Sequence, residues 1–240
     1  MFLTGLANAL AGTGLNVEEI SGWKTRGRGP MIKAKSIICH HTGSAQSASN
    51  PFPTRHVLIA GRPGLIGPLC NLALDRNGKV YIVAAGRANH AGAVKRLRWS
   101  NSYAIGIEAE ADGRSAWPPR QMEAYALLCK ALLEHYGIPL DDVRGHKEVC
   151  FPTGRKIDPN FNMPNFRTMV EEIEVIRDAD LDRIAERVSE QVWKRDFLRP
   201  PARETDPNNP TWQAQSYLCK TLDTVDELLA RHAVPPAPPA

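Results

Sequence analysis

The chain has 240 residues, 42% of them hydrophobic and 23% charged, which are the proportions of a globular protein, and no stretch approaches the roughly 20 apolar residues needed to span a bilayer. Charge is uneven: residues 1–175 carry a net +6 and residues 176–240 a net −2, so the larger part is drawn weakly to anionic polymers, yet it has no Lys/Arg run and no aromatic–basic interleaving of the kind that binds nucleic acid. The five cysteines are odd in number and scattered without a CxxC pair, which excludes a disulfide framework and points to synthesis in a reducing cytoplasm.

The N-terminal "MFLTGLANALAGTGL" is apolar but lacks the basic region of a signal peptide, and Leu3, Leu6, Ala7 and Leu10 follow helical spacing, so it reads as the first amphipathic helix. After a glycine-rich connection, "SIIC" has strand character and runs into His40 and His41. Residues Ser44 to Pro68 are rich in Ser, Gly and Pro and read as long surface loops. "LCNLALDRNGKVYIV" has the pattern of a β-hairpin turning at Asn77-Gly78. "SYAIGIEAEA" is a further strand, in which Ile105, Ile107 and Ala109 alternate with Gly106, Glu108 and Glu110. Pro118 and Pro119 open a strong helix through "QMEAYALLCKALLEHY" that Gly137 terminates, "VRGHKEVCFPTGRKIDPN" is mostly loop, and "NFRTMVEEIEVI" forms another helix.

Strands and helices interleaved in this way define an α/β domain, a central mixed β-sheet flanked by helices, over residues 1–175. Residues 176–240 read as a helical C-terminal extension with a Pro-rich tail. Leu181, Ile184, Ala185, Val188 and Val192 share one helical face, and Leu218, Leu222, Val225 and Leu229 share another. Two such helices bury little by themselves, so they need each other, the main domain or a second copy of the chain.

Polar residues that core packing does not explain gather at strand ends and in one loop: His40/His41, Glu108/Glu110, His90 in "NHAG", and His146, Lys156 and Asp158. Two imidazoles and a carboxylate form a catalytic zinc set that leaves a fourth position for water. In an extended segment Lys156 and Asp158 point the same way, which sets an ammonium beside a ligand, where it can stabilise an oxyanion. Each group also has an ordinary structural reading: Glu110 as a solvated strand-end charge, Lys156/Asp158 as a loop salt bridge worth under about 1 kcal/mol. No compact ligand signature such as HExxH decides between them.

Taken together, "IICHHTGS", "ANHAG", "AIGIEAE" and "GHKEV…GRKIDP" resemble the zinc-dependent N-acetylmuramoyl-L-alanine amidases of the amidase-2 group, which share a fold with the peptidoglycan-recognition proteins, over residues 5 to 172. The resemblance implies one Zn²⁺ per chain held by His40, His146 and Asp158, with Lys156 and Glu108 catalytic. A position where some branches carry Tyr falls on Cys70, and a thiol does not replace a phenol, so Glu108 becomes the stronger base. His90 and Asn71 are expected to contact substrate, and His41 to face away from the metal. The implied reaction is cleavage of the amide between N-acetylmuramic acid and L-alanine in peptidoglycan. The glycine-rich entry and "GRANHAG" look most like phage endolysins of actinobacterial hosts, held in the host cytoplasm until a holin opens the membrane. The alternatives are a non-catalytic peptidoglycan-binding module, which the joint presence of Lys156 and Asp158 disfavours, and a cytoplasmic amidase that recycles wall fragments.

Overall fold

A computed structural model describes residues 1–45, 47, 49–175, 180 and 182–188. The chain divides into two compact units, Met1–Leu181 and Asp182–Ala240. In the second unit residues 182–188 are helical, with Ile184 and Val188 exposed. Leu181, Val192 and the expected second helix lie outside the described residues. No helix among the described residues is long and apolar enough to cross a membrane.

The first unit is the expected mixed sheet flanked by helices. Its six strands are β1 (Val17–Glu19), β2 (Ser36–His41), β5 (Leu72–Leu74), β6 (Val80–Ile82), β7 (Ala104–Ala109) and β8 (Val143–Gly145), in the order β1-β6-β5-β7-β2-β8. Only β5 and β6 pair antiparallel, with Leu72 opposite Ile82 and Leu74 opposite Val80. This is the predicted hairpin, and Gly78 at its turn takes φ 82°. β2 lies parallel between β7 and β8, which places His40 beside Glu108.

Alternation assigns the two faces. Ile37 and Cys39 of β2, Ile105 and Ile107 of β7, and Leu72 and Leu74 of β5 all enter the main core. That core is closed by α1 (Leu6–Leu10), α3 (Pro119–Tyr136) and α5 (Met163–Glu172). α3 begins at the expected proline and ends at Gly137, whose φ of 63° suits a left-handed cap. The opposite face carries Ile38 and Ala104 in a small cluster with Val149, and Ala73 and Tyr81 in another.

The sequence reading did not assign the short strands β1 and β8, and two further parts of the chain depart from it. Within the stretch read as loops lie a short helix α2 (Arg55–Ala60) and a two-stranded ribbon, β3 (Gly61–Arg62) with β4 (Leu65–Ile66). Leu58 of α2 is buried against Phe52, Leu69 and Tyr81, so the segment packs onto the second face of the sheet. The loop after β8 contains the single-turn helix α4 (His146–Val149), whose Glu148 accepts a hydrogen bond from the Gly145 N–H at 2.8 Å and pairs with Arg167 of α5 at 3.0 Å.

Candidate metal centre

The last residues of the parallel strands deliver the site. His40 is the last residue but one of β2, on the face away from α3, His146 follows β8 directly, and Asp158 comes from the loop before α5. His40 and His146 are 1% and 3% exposed. His40 Nδ1 stands 3.0 Å from His146 Nδ1 and 3.0 Å from Asp158 Oδ2, and His146 Nδ1 lies 3.1 Å from the same oxygen. These three residues form the group that could hold a metal ion among the described residues.

The donor set fits zinc. His146 Nε2 lies 2.9 Å from the Ala91 carbonyl, which can only accept, so the ring is protonated there and Nδ1 presents a lone pair to the cluster. Burial holds the His40 imidazole down to about 4 against the pull of Asp158, so the His40 ring is neutral at physiological pH. Two imidazole nitrogens and a carboxylate oxygen this close together could hold a metal ion between them, and the donor types suit zinc.

Around this cluster runs a groove of about 350 Å³ lined by Glu108, Lys156 and His90, by Thr54 at the N-cap of α2 with Val57 and Leu58 within it, and by Arg62 and Leu65 of the β3–β4 ribbon. Glu108 Oε1 is 3.9 Å from His40 Nδ1, and its Oε2 is buried without a hydrogen-bond partner among the described residues. Burial, and next the Asp158 carboxylate, raise the Glu108 carboxyl well above its usual range. Lys156 and Asp158 face the groove together, while Ile157 between them is 76% exposed, which is the alternation expected of an extended segment.

Other expected positions come out differently. Asn71 is fully buried and does not reach the groove: its amide donates to the Ala84 and Gly86 carbonyls at 2.9 Å each and accepts from the Gly106 N–H at 3.1 Å. A role in substrate contact is therefore corrected to a structural one, since every polar atom of the side chain is engaged by backbone. His90 does line the groove, but both of its ring nitrogens are engaged, Nδ1 standing 3.1 Å from His40 Nε2 and Nε2 3.2 Å from the Ala104 carbonyl, and burial holds its imidazole well below the usual range. Cys70 is buried, and desolvation pushes its thiol up.

His41 takes the opposite side of the strand, under the 111–115 loop, where a Cβ on Gly113 would stand 2.8 Å from its Nε2. Glu110 is not a solvated charge. It is fully buried, its Oε1 accepting from the Thr54 N–H at 2.9 Å and from the Thr54 hydroxyl, its Oε2 from the Thr42 hydroxyl at 2.9 Å and from Ser44. The groove contribution of α2 and of Arg62 was missed, and the apolar run "VLIA" after Arg55 was the available signal.

Fold and cluster together define an α/β domain with a three-ligand candidate metal centre at the C-terminal ends of its parallel strands. The family model described as N-acetylmuramoyl-L-alanine amidase matches residues 30–161, more than half of the chain, and the chain belongs to that family of enzymes. The 1,6-anhydro-N-acetylmuramyl-L-alanine amidase AmpD of Salmonella typhimurium is 27% identical over 148 residues, covering 59% of this chain and 72% of that protein. Among solved structures, the catalytic domain of XlyA is 18% identical over 65% of this chain and 99% of that one, with a TM-score of 0.49. The endolysin amidase LysCS from Clostridium intestinale is 20% identical over 67% and 99%, with a TM-score of 0.47.

Proposed function

We propose that the chain hydrolyses the amide between the lactyl group of N-acetylmuramic acid and L-alanine in peptidoglycan, that it does so with one zinc ion on His40, His146 and Asp158, and that it is a phage endolysin. The observation that carries the metal assignment is the convergence of two imidazole nitrogens and a carboxylate oxygen within 3.1 Å of one another. Bound there, zinc supplies a Lewis acid that polarises a carbonyl and activates water near neutral pH.

The protein's own groups supply the proton chemistry. Glu108 stands at hydrogen-bonding distance of one water from the cluster and has a free oxygen, so it takes the proton of the attacking water and returns it to the departing amine. Its raised affinity for protons matches that double duty, because a carboxylate of ordinary acidity would hold the proton too weakly to deliver it. Lys156, at the groove wall next to a ligand residue, stabilises the oxyanion of the tetrahedral intermediate. Cys70 is given no part, since burial pushes its thiol up and keeps it neutral, and it is not among the groove-lining residues.

As an endolysin the protein would wait in the host cytoplasm and act on the wall once a holin opened the membrane. The similarity to AmpD, whose name specifies 1,6-anhydro-N-acetylmuramyl-L-alanine, supports a second reading, recycling of soluble wall fragments. Digests of intact sacculi and of soluble anhydromuropeptides by the same full-length, zinc-assayed protein, analysed by mass spectrometry, separate the two. Faster release of free peptide stems from sacculi supports the endolysin. Turnover of the soluble substrate alone overturns it, and no new L-alanine amine on either substrate overturns the amidase assignment itself.

A further inference from the structure

The two histidines of the cluster are held from behind by two consecutive residues. Behind His40, its Nε2 meets His90 Nδ1 at 3.1 Å, and on the far side of that ring His90 Nε2 lies 3.2 Å from the Ala104 carbonyl. The carbonyl only accepts, so the His90 proton sits on Nε2 and its Nδ1 carries a lone pair. The proton between the two rings therefore belongs to His40 Nε2, and His40 Nδ1 is left as a lone pair facing Asp158. Behind His146 the next residue does the same job, because the Ala91 carbonyl accepts from His146 Nε2 at 2.9 Å.

This segment is itself clamped. The N–H groups of His90 and Ala91 both donate to Asn101 Oδ1, at 3.2 and 2.8 Å, and Arg155 donates a second hydrogen bond to the Ala91 carbonyl at 3.2 Å. The seat for the His90 ring is Gly106 on β7, where a Cβ would stand 2.4 Å from His90 Cγ and force the ring away. The His90 ring meets His40 edge-on, at 85° with centroids 5.2 Å apart.

We infer that His90 and Ala91, clamped by Asn101 and seated on Gly106, form one positioning element that fixes both His40 and His146 as Nε2–H tautomers and aims their Nδ1 lone pairs at the metal. Its functional sense rests on the zinc reading above, but the tautomers are a property of the protein without metal. His90 thus acts through His40 and has no ring nitrogen left for substrate. The arrangement also explains why two ligands from distant segments agree in tautomer: a single loop presents an acceptor to each.

The test uses the full chain with ¹⁵N-labelled histidine, as wild type, His90→Leu and His90→Asn. Long-range ¹H–¹⁵N spectra of the metal-free wild type should show His40 and His146 protonated at Nε2 alone. His90→Leu should abolish the single tautomer of His40 and leave that of His146. His90→Asn, whose side-chain oxygen falls near the lost Nδ1, should restore it. Chelator competition with Zn²⁺ should show affinity weakened roughly 10–100-fold in His90→Leu and largely recovered in His90→Asn, with circular dichroism confirming folded protein. A wild-type spectrum with His40 protonated at Nδ1 overturns the inference, and so does a folded His90→Leu protein with unchanged His40 signals and zinc affinity. If the wild type shows both Nε2–H tautomers yet takes up no Zn²⁺, the positioning element stands and the zinc assignment falls.

Discussion

Replacing Glu110 by alanine should be among the most damaging changes outside the metal cluster, although the residue touches no reacting atom. Its carboxylate ties the 42–44 segment after β2 to Thr54, the N-cap residue of α2, and so joins two segments beside the groove. In the alanine variant the Thr42 and Ser44 hydroxyls still have each other at 2.9 Å, so the losses that cannot be remade are those at the Thr54 N–H and hydroxyl. Hydrogen bonds to a charged group are worth about 1.5–3 kcal/mol each, and Thr54 is half-buried, so two such bonds at the low end of that range put the destabilisation at about 3 kcal/mol. That is a large share of the 5–15 kcal/mol typical of a domain. Glu110→Gln should cost only about 1 kcal/mol, because the amide oxygen can face Thr54 while the amide N–H groups donate to hydroxyls that rotate to accept. Urea unfolding gives both values from the midpoint shift at constant m, and hydrogen exchange reads the Thr54 amide directly. A Glu110→Ala protein within about 0.5 kcal/mol of wild type, with the Thr54 amide still protected, would refute this reasoning.

Glu108→Gln should keep zinc and fold but lose roughly 10²-fold or more in turnover, whereas Cys70→Ser should be mild; the reverse ranking in a muropeptide assay would move the base away from Glu108. Arg55 and then Lys79 lower the Glu18 carboxyl, so the native state holds its proton less tightly than the unfolded chain. The associated stability is present above about pH 4.5 and fades as pH falls through the native value, so Glu18→Gln should flatten the acid limb of a stability–pH curve. The effect should stay under about 1 kcal/mol, because the pair is partly exposed. The residues of the main core lie between Phe2 and Ile173, so a chain ending at Arg177 should still fold by circular dichroism and cleave soluble substrate. Wall-pelleting by the isolated 176–240 fragment with the affinity of the whole chain would mark that part as a binding module instead.

The sheet was legible where local pattern carries it. The alternation in "AIGIEA" gave β7, Asn77-Gly78 gave the β5–β6 hairpin, and proline and glycine bounded α3. The missed elements are those whose stability is tertiary. α2 has six residues, too few to be helical by themselves, and exists because Leu58 docks on the sheet; β1 has three residues and is defined by pairing with β6. At the site, motif resemblance put His40, His146, Asp158, Lys156 and Glu108 in one groove. Asn71 was misplaced, and the engagement of the His90 ring nitrogens went unseen, for a common reason. Sequence shows that a residue is polar and near a strand end, but not whether backbone groups already surround it, and here carbonyls engage the side chains of both.

The register of β2 has a consequence for how the chain folds. Ile37, Ile38 and Cys39 are apolar on either side, and His40 and His41 offer an imidazole to either side, so β2 contains little that distinguishes its native alignment from one shifted by a residue. The distinction comes from β7 and β8, both parallel neighbours far away in the chain and joined by no tight turn. Alignment of β2 is therefore a long-range event of high contact order, expected late in folding rather than early. Three of the groups brought together in the groove, His40, Glu108 and His146, depend on that alignment, so a partly folded chain has no partial version of this centre. Competence should arrive in one step, with the closing of the central sheet.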